Sequence, residues 1–488
     1  VPALDRIASQ YALAVALSLR AIGLTSLAAF LSLLTQVLGL FGEHGILPMV
    51  ERVDRVEQLV AHPMSQAPSV FFVIGGSDAA LVSTCLVGAL ASCAMIASVG
   101  GGLAPLVAYL AYLSFVSLGA PFLPLQWDTL LTESLAVAFL CSPRTMRHVP
   151  LERPHVPEPA ALFALWFLIT RLMFASGYVK LASGDEAWRS LRALDYHFET
   201  QPLPTLAGYA LHFGPSIVRS CGVLMTFVVE LGLPFAVLFG ARGRRVAARG
   251  FALLLVVIAV TGNYGFFDWL ALALTVALVD DETIEHVIAK VRGGFRVTVE
   301  RLAVHRLVRV RSALAAACQF LLATLVLCMT LGLSEWIPEP VRAVADAVEP
   351  FRLANHYGLF AVMTRDRPIV IFEGSDDGVT WREYDYRWQS GDPARAPAVC
   401  MPHMPRVDWM AWFAGLNDQP EPWTIATEIG LLEARPQVLE LFGRDPFEGR
   451  APRYVRSVRY RYAFAPWGDE DWWVRFDRHE YGPTLQAR

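Results

Sequence analysis

The stretch from Ala160 to Pro204 reads AALFALWFLITRLMFASGYVKLASGDEAWRSLRALDYHFETQPLP. Its first half is apolar for long enough to cross a bilayer, which takes about 20 helical residues, yet it carries Arg171 and Lys180. A cation in a membrane span costs at least about 2.5 kcal/mol on the gentler insertion scales, so it faces a partner or a wet cavity. Lys180 lies near the end of the run, where its stem can carry the amine out to the headgroups. Arg171 sits near the middle and has no such escape. The sequence therefore predicts a helical bundle with a polar interior, this helix forming one wall.

Composition agrees with a membrane protein. Hydrophobic residues make up 55% of the chain, charged residues 18%, and mean hydropathy is +0.41. The net charge of −4 gives no basis for a nucleic-acid partner. Six of the seven cysteines lie in or beside apolar runs, and only Cys400 falls in the polar last third, which therefore can hold no internal disulfide. No Asn-x-Ser/Thr acceptor is present to place the loops. Nothing matches G-x-S-x-G, a Walker loop or G-x-G-x-x-G, which argues against a serine hydrolase of the common fold and a nucleotide-driven pump.

Apolar runs predict about nine spans: 11–40, 79–99, 103–119, 128–142, 160–181, 217–239, 246–262, 265–279 and 313–333, the fourth and eighth short enough to be tilted or re-entrant. The first is too long for a signal-peptide core and reads as a retained span. Arginines collect in three loops, at Arg144, Arg147 and Arg153, at Arg242, Arg244, Arg245 and Arg249, and between Lys290 and Arg311. Alternating spans put all three on one side, which the positive-inside rule makes cytoplasmic, together with the N-terminus. The segment from Lys290 to Arg311 reads as a topogenic cluster, with a membrane-surface helix touching anionic lipid as the alternative.

Residues 1–334 thus form a multi-pass membrane domain, and residues 335–488 a separate extracytosolic domain of mainly β character. In the tail, Pro368–Glu373 and Val379–Trp388 flank Gly374-Ser-Asp-Asp-Gly378, a hairpin signal. Tyr454–Phe464 and Trp472–Phe476 read as strands, Val407–Leu416 and Gln437–Phe442 as helices, which together predict a sandwich with helical insertions.

Inside the membrane the candidate residues are Asp128, Glu133, Arg171, Lys180 and Glu230. Matched by depth alone, Arg171 should pair with Glu230, and Lys180 with Asp128 or Glu133. Such pairs either brace the bundle or line a functional site. Just outside the membrane, Asp195, His197 and Glu199 alternate along the chain, a spacing open to acid–base work or to interfacial packing. No second histidine completes a metal site, so neither metal nor cofactor is expected. The Ser-Asp-Asp-Gly turn lacks the ligand alternation of a calcium loop. Trp409, Trp412 and Phe413 share a helix face and either pack on the sheet or anchor a partner.

Several of these stretches together resemble the lipase maturation factor family: Gln126–Glu133 (QWDTLLTE), Arg171–Asp185, Trp188-Arg189, Leu194–Pro204, Glu230–Pro234, Thr261–Phe267, Tyr357–Thr364, Phe372–Gly378, Gly391–Arg395 and Asp408-Trp409. The resemblance runs in matching order over nearly the whole chain. It implies a multi-pass protein of the endoplasmic reticulum membrane, or of the inner membrane for a bacterial source, as the alanine- and arginine-rich composition suggests. It also implies a lumenal or periplasmic tail that acts as a chaperone in the maturation of an immature secreted lipase or another exported client. The family carries no established catalytic residues to transfer. The membrane part is distantly similar to vitamin K-dependent carboxylases, which implies as an alternative a membrane enzyme acting on a lipid or translocated peptide through Lys180, His197 and Glu199. A transporter would need an internal inverted repeat, and none is visible.

Overall fold

The computed structural model describes residues 2–292, 294–300 and 306–487. Each apolar run is helical, but the helices differ in reach. Ala12–Leu34, Asp78–Ile96, Pro159–Ala182, Ser216–Ala236 and Val310–Thr330 are long and apolar enough to cross a membrane. Leu103–Leu118, Gln126–Cys141 and Phe267–Val276 are shorter, and Gly240–Thr261 carries four arginines in its first half. At about 1.5 Å per residue the Phe267–Val276 helix reaches ~15 Å, half of a ~30 Å hydrocarbon core. Length and composition thus support five crossings among the described residues, against the expected nine or so.

Local chemistry sets the helix ends. Ser77 caps Asp78–Ile96 by accepting from the Ala80 amide at 3.3 Å. Pro159 opens Pro159–Ala182 at a position that needs no amide donor. The Ser216–Ala236 helix widens into a π-turn over Val228–Gly232, which turns Glu230 inward. Gly177 makes room for it: a Cβ at that position would stand 2.8 Å from Glu230 Cβ.

The basic loops gather at one end of the bundle with the first residues of the chain. Ser98 and Gly100 bond to Val149 and Met146, Glu152 accepts from the Thr298 amide, and Arg244 donates to the Tyr11 hydroxyl at 2.9 Å. Asp281 accepts from the amides of Leu13 and Ala14 at 3.0 and 2.9 Å. Of the segment from Lys290 to Arg311, Arg301 and the side chains of Arg292, Arg306 and Arg309 lie outside the described residues.

The tail occupies the opposite end. Its sheet runs β2-β1-β3-β4, all antiparallel, with β1 Arg367–Ser375, β2 Arg382–Glu383, β3 Tyr454–Phe464 and β4 Trp473–Glu480, and β5 Leu485–Gln486 adds to β3. In register, Ile369 faces Tyr460 and Ser375 faces Tyr454. The predicted hairpin exists, but its return strand is paired only at Arg382 and Glu383. Tyr384 and Tyr386 leave the ladder for the core, where the Tyr386 hydroxyl donates to Val370 O at 2.7 Å.

A single sheet replaces the expected sandwich. Helices Arg406–Gly415 and Pro422–Leu432 cover one face of it. The other carries Arg456–Glu373 and Arg475–Glu383, both at 2.8 Å, with Arg475 over Tyr460, beside Ile369, Ile371 and Val458, which the chain itself already buries. The tail packs directly on the bundle. One continuous hydrophobic cluster runs from Ala8 in the bundle to Tyr481 in the tail.

Candidate functional site

The five intramembrane charges form pairs other than those expected from depth. Arg171 meets Glu133, and Lys180 Nζ lies 2.8 and 3.0 Å from the two oxygens of Glu230. Asp128 accepts from Arg406, which comes from the tail, at 2.6 and 2.7 Å. Helical azimuth explains the correction. Nine residues at ~100° each separate Arg171 from Lys180 by about half a turn, so the two cations point to opposite sides of one helix.

The two carboxylates of the Gln126–Cys141 helix both hold the tail. Glu133 also accepts from the Asn355 amide at 3.0 Å and from the Tyr357 hydroxyl at 2.8 Å. Asp128 serves three roles: it caps its own helix through the Leu125 amide at 2.8 Å, takes the Tyr112 hydroxyl at 2.7 Å, and binds Arg406. All of these groups are buried, where a charge is tolerated only if paired and hydrogen-bonded. A second arginine, Arg367 at the start of β1, donates to the carbonyls of Gln201 and Pro202 and so fixes the loop after the Ala193–Thr200 helix.

A cavity of about 580 Å³ lies where the tail meets the bundle. Trp127, Leu322 and Val326 wall it from the membrane side, and Trp409, Trp412, Phe413 and Leu416 from the tail. Trp409 is 2% exposed, its ring centroid 4.6 Å from that of Trp127, and the Trp412 indole donates to Thr200 O at 2.8 Å. The three aromatics do share a helix face, but Trp409 and Trp412 turn theirs to the bundle. Phe413 is half-buried, Leu416 and Val362 are exposed, and Asp346 and Glu349 lie at the rim.

A second cavity, of about 130 Å³, collects Lys180, His197, Glu230, Trp188 and Tyr264. Lys180 lies 5.4 Å from the Trp188 ring, and His197 Nε2 is 2.8 Å from the Tyr264 hydroxyl. Burial first, and then the Lys180 charge, holds the His197 imidazole down at about 4, so it is neutral at physiological pH. Its two acidic neighbours in sequence go elsewhere. Asp195 binds Arg219 at 2.5 Å, and Glu199 accepts from the Phe464 amide at 2.8 Å. In a helix, i and i+4 share a side while i+2 faces away, so the alternating triplet cannot converge. Among the described residues no group of three or more His, Cys, Asp or Glu forms a metal-holding cluster.

Sequence reasoning missed Arg406, Arg367, Gln201 and Tyr264. The one available signal was an arginine at the mouth of a mostly apolar helix, as in Pro405-Arg406-Val407.

Comparison with known proteins bears on both parts of the chain. Residues 13–286 match the family model described as the lipase maturation factor transmembrane domain, and residues 353–483 the lipase maturation factor C-terminal domain. Lipase maturation factor 2 of Homo sapiens is 32% identical, with 94% of this chain and 80% of that protein aligned. Lipase maturation factor 1 of Bos taurus is 29% identical, over 96% of this chain and 88% of the relative. No solved structure matches the chain.

Proposed function

Because this chain belongs to the lipase maturation factor family, we propose that it is a membrane-embedded folding or assembly factor for an immature secreted lipase or another exported client. The observation that carries this reading is the wide cavity. It is apolar and aromatic and has an exposed rim, and it sits between the last membrane span and the tail, where a client held at the membrane surface can reach both. In this reading residues 1–334 are the membrane part and residues 335–488 face the lumen or periplasm. The gathering of the basic loops and the N-terminus at the end away from the tail supports that orientation. The membrane is that of the endoplasmic reticulum, or the inner membrane of a bacterium.

Client contact is assigned to Phe413 and Leu416 on the open wall, with Trp409 and Trp412 supporting them from behind. The test is the full-length Phe413→Ser, Leu416→Ser double variant, co-expressed with a secreted lipase. We expect a fall of about tenfold in secreted lipase activity at equal levels of the variant, as for loss of one or two anchor contacts at ~1–2 kcal/mol. Unchanged lipase activity would remove the cavity from the proposal.

One observation favours the second reading, a membrane enzyme distantly similar to vitamin K-dependent carboxylases: Lys180, His197 and Glu230 share a cavity. Glu199 has no place in it, since it faces His212 and β3.

A further inference from the structure

The small cavity ends a chain of hydrogen bonds whose directions are forced. Gln201 Nε2 donates to the carbonyls of Phe198 and Thr261 at 3.2 and 2.9 Å, which makes its Oε1 an acceptor. The Tyr264 hydroxyl, 2.8 Å from that oxygen, must donate to it. His197 Nε2 must then donate to the phenol oxygen, which leaves the neutral imidazole a bare lone pair on Nδ1. Gly262 protects the relay, since a Cβ there would stand 2.1 Å from Gln201 Oε1.

The wall toward the lipid is split. The Ser216–Ala236 helix meets the Gly240–Thr261 helix chiefly through Val228–Ala236, and its first part, Ser216–Phe227, makes little contact with it. Thr226 and Met225 on one side and Leu254 and Val257 on the other line the gap, beside the exposed apolar side chains of Leu253 and Val256. Lys180 is already neutralised by Glu230, so an anionic headgroup would find no free cation. The volume equals that of ~4 waters at about 30 Å³ each, room for a small head but not for an acyl chain.

We propose that this cavity binds a neutral glyceride through a free hydroxyl: the O–H donates to His197 Nδ1, and the acyl chain leaves between the two helices into the bilayer. Leu359 and Phe360 of the tail also line the cavity, but the hydrogen-bond relay and the gap lie in the bundle, and the proposal stands independently of the client-binding role.

The test uses the full chain in nanodiscs and a monoacylglycerol bearing a diazirine near its ester. Its partner probe is the same molecule with both hydroxyls capped as methyl ethers. Photolabelling should map to the peptides holding Met225 and Leu254, with the hydroxyl probe favoured about tenfold, roughly the value of one hydrogen bond in a dry site. His197→Phe should abolish that preference. Val257→Trp, at the partly exposed mouth and away from the relay, should cut labelling by both probes about fivefold or more. Equal labelling by the two probes in the unmodified chain, or labelling indifferent to Val257→Trp, would overturn the proposal. So would equally strong labelling of the same peptides by a diazirine phosphatidic acid.

Discussion

The Gln126–Cys141 helix and the Ser216–Ala236 helix each bury a carboxylate against a cation, and the two pairs are built differently. Asp128 meets Arg406 across 278 residues of sequence, accepts from two further donors, and has neighbours on every side. Glu230 meets Lys180 between two helices of the same bundle and borders a cavity. In the first pair the charges fasten one part of the molecule to another. The second leaves polar chemistry accessible inside the membrane. A third carboxylate, Glu428 in the tail, completes the contrast, because among the described residues it is buried with no cation: Oε1 takes the Ser457 hydroxyl at 2.5 Å and Oε2 has no partner.

The largest effect should come from breaking the fastening pair. Arg406→Met leaves Asp128 charged and buried with only the Tyr112 hydroxyl and the Leu125 amide, and truncating one partner of such a pair costs about 3–5 kcal/mol. Limited proteolysis of the full chain in nanodiscs should then cut the tail near residues 398–406 while the membrane helices stay protected. A tail as resistant as the original would show that shared apolar packing, and not the ion pair, holds the two parts together.

Glu230→Gln should cost less, about 2–3 kcal/mol, because water can enter beside the unpaired Lys180. The variant sharpens the comparison when measured as heat inactivation beside Arg406→Met. A loss as large as that of Arg406→Met would mean that the small cavity stays dry and that the two pairs do the same work.

How far this arrangement could be read in advance depends on the range of the signal. Elements marked by a continuous apolar run, such as Pro159–Ala182, or by alternation, such as Tyr454–Phe464, were legible because those patterns are local. Charge pairing was not. Depth along a helix is written in residue number, but the partner depends on which way the side chain turns and on elements hundreds of residues away. Arg171 and Glu230 differ in depth as well as in direction, since Glu230 stands beside Gly177, about 9 Å along the helix from Arg171. Trp409 and Trp412 show the same limit, since their spacing fixes a shared face but not the bundle that covers it. Asp195, His197 and Glu199 looked like a cluster only in extended writing, and the helix turned the histidine alone toward the cavity.

The smallest effect belongs to the carboxylate without a cation, and its sign separates it from both pairs. Burial raises Glu428 from 4.5 to about 7, against a smaller opposing pull from its bonds to Ser457. The folded tail thus prefers the protonated acid, which contributes its full stability below the unfolded value of 4.5 and loses it as pH rises through about 7. Between about pH 5 and about pH 7 the tail should lose ~2 kcal/mol from this group alone. Thermal unfolding of the full chain followed by tryptophan fluorescence reads it, with Trp423 one turn from Glu428 on the same helix. Glu428→Gln keeps the shape and removes the titration, so its midpoint should stay level over that range while that of the original falls. Parallel pH profiles for the two proteins would mean that Glu428 stays charged in the fold, paired with a cation or with water.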